Sequence, residues 1–289
     1  MAVDSSMRGR ICVVTGASSG IGKAAAVRLA ELGATVVLVC RDPFRGEAAA
    51  SEVDAAGTTS GGQARLEVAD LAVQREVRGL AKRLHQRLSR LDVLVNNAGA
   101  VYGQRRESHD GIELTLALNH LGYFLLTNLL VDMLRESAPS RVVNVASDAH
   151  TRARLDLDDL QMQHAYQAWR AYANSKLANV LFTYELARRL AATGVSVNCL
   201  HPGTVNSGFG RDGSTALRLG LRVIRPFLIS PEAGADTVVY LASSPEVSDV
   251  SGKYFVKRQA RPSSTNSYDE ASARRLWDQS AALTRLPRT

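Results

Sequence analysis

The sequence predicts an α/β fold, a doubly wound parallel sheet of about seven strands with helices on both faces. Three observations predict it. From Arg10 onward, short runs of apolar, β-branched residues alternate with stretches of helical length and pattern. The second run, Ala34 to Cys40, is almost continuously apolar, as a strand covered on both faces must be. The first run stops at a glycine cluster that leads directly into a helix, and ligands of parallel sheets bind beyond such strand ends.

Arg10 to Thr15 is the first expected strand. Gly16-Ala-Ser-Ser-Gly20-Ile-Gly22 follows, and Lys23 to Leu32 reads as a helix. Glycines allow a tight turn and close backbone approach, while the helix N-terminus offers unpaired N–H groups and the positive end of a dipole to a pyrophosphate. The spacing, Gly-x3-Gly-x-Gly, differs from the commoner Gly-x-Gly-x-x-Gly. At the end of the second strand an acidic residue would bind the 2′-hydroxyl of an adenosine ribose. Cys40 and Arg41 stand there instead. Arginine pairs well with a 2′-phosphate, so the residue favours NADP(H) over NAD(H), although adjacent Asp42 competes for it.

Phe44 to Ala56 reads as a helix, Gln63 to Val68 as a third strand ending at Asp70-Leu71, and Gln74 to Leu88 as a basic amphipathic helix. A fourth strand from Leu91 runs into Asn97-Ala98-Gly99. Gly111 to Leu134 reads as a helix apolar nearly all round, hence buried on more than one side, with Asn119 inside it. Taken alone, Asn119 is a core amide in need of partners. Arg141 to Ala146 is the fifth strand, followed by Ser147-Asp-Ala-His150; no Gly-x-Ser-x-Gly elbow accompanies that cluster, which argues against serine hydrolysis.

Ala168 to Thr193 is the helix that carries Tyr172 and Lys176. Residues four apart share a helix face, so a phenol and an ammonium would converge. A nearby cation favours the phenolate and suits the Tyr to general acid/base work. Both this helix and the one before it are apolar on two faces, one for the sheet and one for a second subunit, so a homodimer or homotetramer is expected. Val195 to Leu200 is the sixth strand, ending at His201-Pro202-Gly203-Thr204. The segment 205–230 suits a cover over a cleft. Helix Pro231 to Leu241, a last strand at Tyr254 to Val256 and a polar tail 257–289 with a helix from Asp269 to Leu283 complete one domain, 1–289, with no repeat or linker.

Composition agrees with this reading. Of the 289 residues 45% are hydrophobic and 22% charged, ordinary for a soluble globular chain. Cys12, Cys40 and Cys199 are odd in number and far apart, which argues against disulfides or a Cys-rich metal site and for a reducing cytoplasm. The net charge of +7 is scattered among acidic residues without a like-charge run, so no nucleic-acid partner is expected. Met1 to Arg10 has no apolar core, so no signal peptide is expected. The most apolar stretch, Leu121 to Leu134, is interrupted by Thr127, Asn128 and Asp132 and falls short of the ~20 residues of a membrane span.

Seven pieces in order, Thr15-Gly-Ala-Ser-Ser-Gly-Ile-Gly22, Asp70-Leu71, Asn96-Asn-Ala-Gly99, Asn119, Ser147, Tyr172-x-x-x-Lys176 and Pro202-Gly203, make the chain resemble the short-chain dehydrogenase/reductase family over nearly its full length. Cys40-Arg-Asp42, Asn119-His-Leu-Gly-Tyr-Phe-Leu-Leu-Thr127 and Ser175-Lys-Leu-Ala-Asn179 resemble its retinol-dehydrogenase-like branch. The resemblance implies a Rossmann fold and hydride transfer between a nicotinamide cofactor and a lipophilic alcohol or carbonyl. Tyr172 would be the acid/base, Lys176 would lower its pKa and hold the nicotinamide ribose, Ser147 would hydrogen-bond the developing alkoxide, and Asn119 would hold a water linking Lys176 to solvent. The cofactor would lie along Gly16, Ser18, Ser19, Gly20, Ile21, Gly22, Arg41, Asp70, Leu71, Asn97, Ala98, Gly99, Pro202, Gly203 and Thr204, with Tyr172 and Lys176 also touching it. Two departures stand out: animal members of the branch carry an N-terminal anchor that Met1 to Arg10 does not resemble, and Asn206-Ser207 replaces the branch's usual Thr near position 206. A tailoring ketoreductase on a polycyclic or aromatic intermediate and a non-catalytic NADP(H) sensor are the alternative readings.

Overall fold

The alternation of strands and helices becomes a sheet of eight strands in a computed structural model that describes residues 6–203 and 229–286. Its strands are β1 (Ile11–Thr15), β2 (Thr35–Cys40), β3 (Gln63–Val68), β4 (Val93–Asn96), β5 (Ser140–Val145), β6 (Val195–His201), β7 (Tyr254–Val256) and β8 (Gln259–Arg261), in the spatial order β3-β2-β1-β4-β5-β6-β7-β8. All neighbours pair in parallel except β7 and β8. The chain reverses direction in strand order between β3-β2-β1 and β4, which opens a crevice at the C-terminal ends of β1 and β4.

The eighth strand corrects the expected count of about seven. It forms because Lys257 and Arg258, at φ 50° and 62°, make the left-handed two-residue turn that suits a hairpin. Neither residue is the Asn or Gly that signals such a turn, and β8 is exposed throughout, so it has no apolar pattern to read.

Helices α1 (Gly20–Glu31), α2 (Pro43–Gly57) and α6 (Pro231–Ser243) cover one face; α3 (Gln74–Arg87), α4 (Leu114–Glu136), α5 (Ala168–Arg189) and α7 (Glu270–Thr284) cover the other. Period-two alternation assigns the strand side chains: Val13 packs with Leu80, Phe124 and Phe182, whereas its neighbours Cys12 and Val14 pack with Leu29 and Leu241. All three are fully buried, which explains the uninterrupted apolar strands.

Two helices differ from the sequence reading in ways that matter for the site. First, α1 begins at Gly20 and not at Lys23, so Gly20-Ile-Gly22 is its first turn. Second, α4 is broken by a π-turn at Ala117–Leu121, which contains Asn119. Single π-turns of this kind recur at functional sites, because they release a carbonyl from the helix ladder.

The helix faces assigned to a second subunit are buried within this chain. Trp277 of α7 meets Phe124 of α4 edge-on at 4.9 Å and Phe182 of α5 at 5.8 Å, and α5 is buried continuously from Ala171 to Leu186. The tail that the sequence marks as polar supplies the apolar stripe Ala273, Leu276, Trp277 and Ala281. The apolar reason for expecting a homodimer or homotetramer is therefore met by the chain's own last helix. Among the described residues, Leu114–Glu136 is the one helix long and apolar enough to cross a membrane, and 72% of its most apolar window is buried in the fold.

Candidate active site

The glycine turn is held by sterics and by one threonine. Gly16 has φ +66°, and a Cβ there would come within 2.8 Å of the Ala98 Cα. A Cβ on Gly22 would come within 2.4 Å of Asn97 Nδ2 and 2.5 Å of the Gly16 oxygen. Thr15 Oγ1 accepts from the N–H groups of Asn97 (2.9 Å) and Ala98 (3.1 Å), and Asn97 Nδ2 donates to the Thr15 carbonyl at 2.8 Å. The turns after β1 and β4 are thus one unit, and Thr15 is a positioning residue that its apolar strand context did not single out.

The N-terminus of α1 fits a dinucleotide phosphate. Ser19, exposed and extended at the N-cap, accepts no capping bond through its side chain, and no acidic residue lies in the first turn. The N–H groups at Gly20, Ile21 and Gly22 begin a helix whose dipole is left uncompensated. Ser18 is turned toward β2 and hydrogen-bonds the Cys40 thiol. At the end of β2, Asp42 caps α2 by accepting from the Arg45 N–H at 3.2 Å and makes no ion pair with Arg41. Arg41 is exposed and takes part in no ion pair with a described residue. Asp70 Oδ1 accepts from the Ala72 N–H at 2.9 Å, and its own N–H donates to Glu76. Leu71 is buried, and its carbonyl leaves no room for a Cβ on Gly122 of α4.

Ser147 follows β5, and Tyr172 and Lys176 stand one turn apart near the start of α5. The Tyr172 hydroxyl hydrogen-bonds Ser147, whose Oγ also accepts from the Ala149 N–H at 3.2 Å. Lys176 Nζ donates to the Val145 carbonyl at 2.9 Å and lies 5.7 Å from the ring centroids of both Tyr172 and Tyr123. Burial pushes the Tyr172 phenol up to about 12, with Ser147 acting in the opposite direction, and burial pushes the Lys176 ammonium down to about 7. Burial of the phenol thus outweighs any lowering by Lys176. Desolvation disfavours both charged forms.

Asn119 is fully buried and satisfied. Its Oδ1 accepts from the Ala100 N–H at 2.9 Å, and its Nδ2 donates to the Ala100 carbonyl (3.0 Å) and to Ser175 Oγ (3.1 Å). It therefore braces the turn carrying Gly99, where a Cβ would stand 3.3 Å from Asn119 Oδ1 and 3.7 Å from Lys176 Nζ. The Ser-Asp-Ala-His stretch holds no hydrolytic triad. His150 Nε2 accepts from the Ser264 N–H at 3.1 Å, so Nδ1 carries the proton and donates to the Ser147 carbonyl at 2.7 Å. Pro202 and Gly203 follow β6, and Gly203 has φ +91°. Thr204, Asn206, Ser207 and most of the expected cover at 205–230 lie outside the described residues.

The structure thus brings together Ser147, Tyr172 and Lys176 with Asn119 behind Gly99, and groups Gly16 to Gly22 with Asn97 to Gly99. A family model described as short chain dehydrogenase matches residues 10–216. The chain belongs to that family. It is 43% identical to human retinol dehydrogenase 13 over 96% of this chain and 85% of that protein. It is 42% identical to human retinol dehydrogenase 14 over 97% and 88%. Among solved structures, an uncharacterised protein from Mycobacterium paratuberculosis is similar at a TM-score of 0.77 and 35% identity, covering 96% of this chain and 94% of that one. Pseudomonas aeruginosa RhlG, solved as an NADP active-site complex, is similar at a TM-score of 0.69 and 32% identity, covering 88% and 97%. The short-chain dehydrogenase is therefore an oxidoreductase of the retinol-dehydrogenase-like branch, and its family uses a nicotinamide dinucleotide.

Proposed function

We propose that this short-chain dehydrogenase interconverts an alcohol and a carbonyl on a lipophilic small molecule, with NADP(H) as cofactor and Tyr172 as general acid/base. The observation that carries this reading is the buried Tyr172 phenol, hydrogen-bonded to Ser147 and one helical turn from Lys176, beside the glycine turn at the C-terminal ends of the strands. When bound, the nicotinamide supplies or accepts the hydride.

Tyr172, with its pKa pushed up to about 12, holds its proton at neutral pH and is set to give it to a carbonyl oxygen. The Ser147 Oγ accepts the Ala149 N–H, which leaves its own proton for the phenol or for a developing alkoxide. Around Tyr172 lie Val101, Ala149, Ala153 and Leu177, with Leu155, Leu157 and Leu160 only partly covered. Trp169 is half exposed with its ring 5.5 Å from that of Tyr172. These surroundings favour an apolar substrate, in keeping with the names of the retinol dehydrogenase relatives. Arg41, which forms no ion pair with a described residue, would meet the 2′-phosphate. The three cysteines are free and buried, which favours a cytoplasmic setting. With Asn119, Ser147, Tyr172 and Lys176 all present, nothing favours a non-catalytic sensor.

Purified protein should consume NADPH with at least one member of a panel of lipophilic aldehydes and ketones, and a panel without turnover would contradict the reading. Arg41→Asp should erode the preference for NADPH over NADH by about tenfold or more, since it removes a charge-assisted contact and adds repulsion. An unchanged NADPH/NADH ratio would remove Arg41 from the cofactor site.

A further inference from the structure

Asn119 is held not only through its side chain. Within the π-turn its main-chain carbonyl accepts from Asn179 Nδ2 at 2.9 Å. Asn179 is fully buried in α5, one turn beyond Lys176. Because Nδ2 is committed to that carbonyl, Oδ1 faces His120 Nδ1, 3.3 Å away. The ring proton therefore sits on Nδ1, and Nε2 accepts from Ser280 Oγ of α7 at 2.9 Å. The Ser280 carbonyl in turn accepts from Thr284 Oγ1 at 2.6 Å. His120, Asn179, Ser280 and Thr284 are all fully buried.

We propose that Asn179, braced by His120 and Ser280, is a positioning residue that fixes the Asn119 turn against Lys176 and so makes α7 part of the apparatus that sets the active site. A π-turn frees a carbonyl that must find another donor when buried. Here the Asn119 carbonyl, inside the π-turn, has Asn179 as a donor. Ser175 and Asn179, four residues apart, grip Asn119 by its side chain and its carbonyl, and Lys176 lies on the turn between the two grips. Asn119 and Lys176 also border the same spot at Gly99. A movement of the turn would therefore alter the wall beside the ammonium. Burial forces His120 to be neutral, with its pKa pushed down to about 4, so the brace works by hydrogen bonds and not by charge.

The kinetic arm of the test rests on the proposed carbonyl reduction. Asn179→Leu removes both bonds of the amide, Asn179→Asp keeps its shape but replaces the donor, and Ser280→Ala cuts the far end of the brace. The expected result for both Asn179 variants is a fall in kcat, expressed per NADPH-binding site, of about tenfold to a hundredfold. KM for NADPH should stay within about twofold, since no phosphate or ribose contact changes. The pH midpoint of kcat should move as well; the titratable groups facing Lys176 are Tyr172 and Tyr123, and His120 faces Asn179. Ser280→Ala should act in the same direction and less strongly. Amide hydrogen exchange across residues 117–122 should accelerate in Asn179→Leu by about tenfold while α1 stays unchanged. A folded, NADPH-binding Asn179→Leu with the wild-type kcat and pH midpoint would overturn the proposal. If the wild-type protein reduces no carbonyl, the proposed function fails, and exchange alone decides: unaltered exchange at 117–122 overturns the brace.

Discussion

At the scale of the residue, the spacing of Tyr172 and Lys176 was legible because helical periodicity puts i and i+4 on one face. Their protonation was not legible, because it depends on burial supplied by residues distant in sequence. Lys176 has its pKa pushed down from 10.5 to about 7 by desolvation. Between those values the unfolded chain binds a proton that the folded chain does not, so this lysine's contribution to stability rises with pH across that window and is lowest below it. Tyr172, raised from 10 to about 12, acts with the opposite sign above pH 10. Denaturant unfolding of the cofactor-free protein at pH 6.5 and 9.5 checks the balance. Wild type should gain on the order of 2 kcal/mol or more relative to Lys176→Met between the two pH values. A difference that stays flat with pH would mean that the ammonium is better solvated than its surroundings imply.

At the scale of the element, strands β1 to β7 and helices α1 to α7 were legible because both faces of the sheet are covered, which turns burial into a pattern of residue types. The exceptions follow from local geometry that composition does not carry. The start of α1 lies inside the glycines, since Gly22 has no side chain to meet Asn97, and a sequence pattern counts glycine against a helix. The π-turn in α4 leaves the apolar periodicity intact and shows only in where Asn119 directs its carbonyl. Two glycine substitutions separate a required glycine from an incidental one. Gly22→Ala should cost about 1–3 kcal/mol and weaken NADPH binding, because its Cβ meets Asn97 and the Gly16 backbone. Gly79→Ala in α3, whose Cβ would find only the Arg83 side-chain tip at 3.5 Å, should stabilise by up to about 1 kcal/mol. Chemical denaturation reads both, and a tolerated Gly22→Ala with normal cofactor affinity would contradict the close packing of the two turns.

At the scale of the molecule, the sequence marks where a ligand binds more clearly than it marks what covers the helices. The crevice residues Gly16, Arg41, Asn97, Ser147 and Tyr172 each stand at or just beyond the C-terminal end of a strand or near the start of a helix, so counting strands was enough to place them. The C-terminal helix was harder to read. Its Arg and Asp content reads as a polar tail, yet Trp277 fills the space between Phe124 and Phe182, and Arg189 stacks 4.1 Å over the Trp277 ring. The polar residue Ser280 joins the core because His120 lies opposite, a pairing across 160 residues that no local pattern displays. The reaction rests on one proton at the centre of this arrangement. Its most direct test is the steady-state reduction of a lipophilic carbonyl by Tyr172→Phe, with NADPH binding measured on the same sample. The variant should bind NADPH as wild type does and lose at least about a hundredfold in kcat, the contribution typical of general acid catalysis; a Tyr172→Phe enzyme that binds NADPH and turns over at the wild-type rate would show that the proton comes from elsewhere.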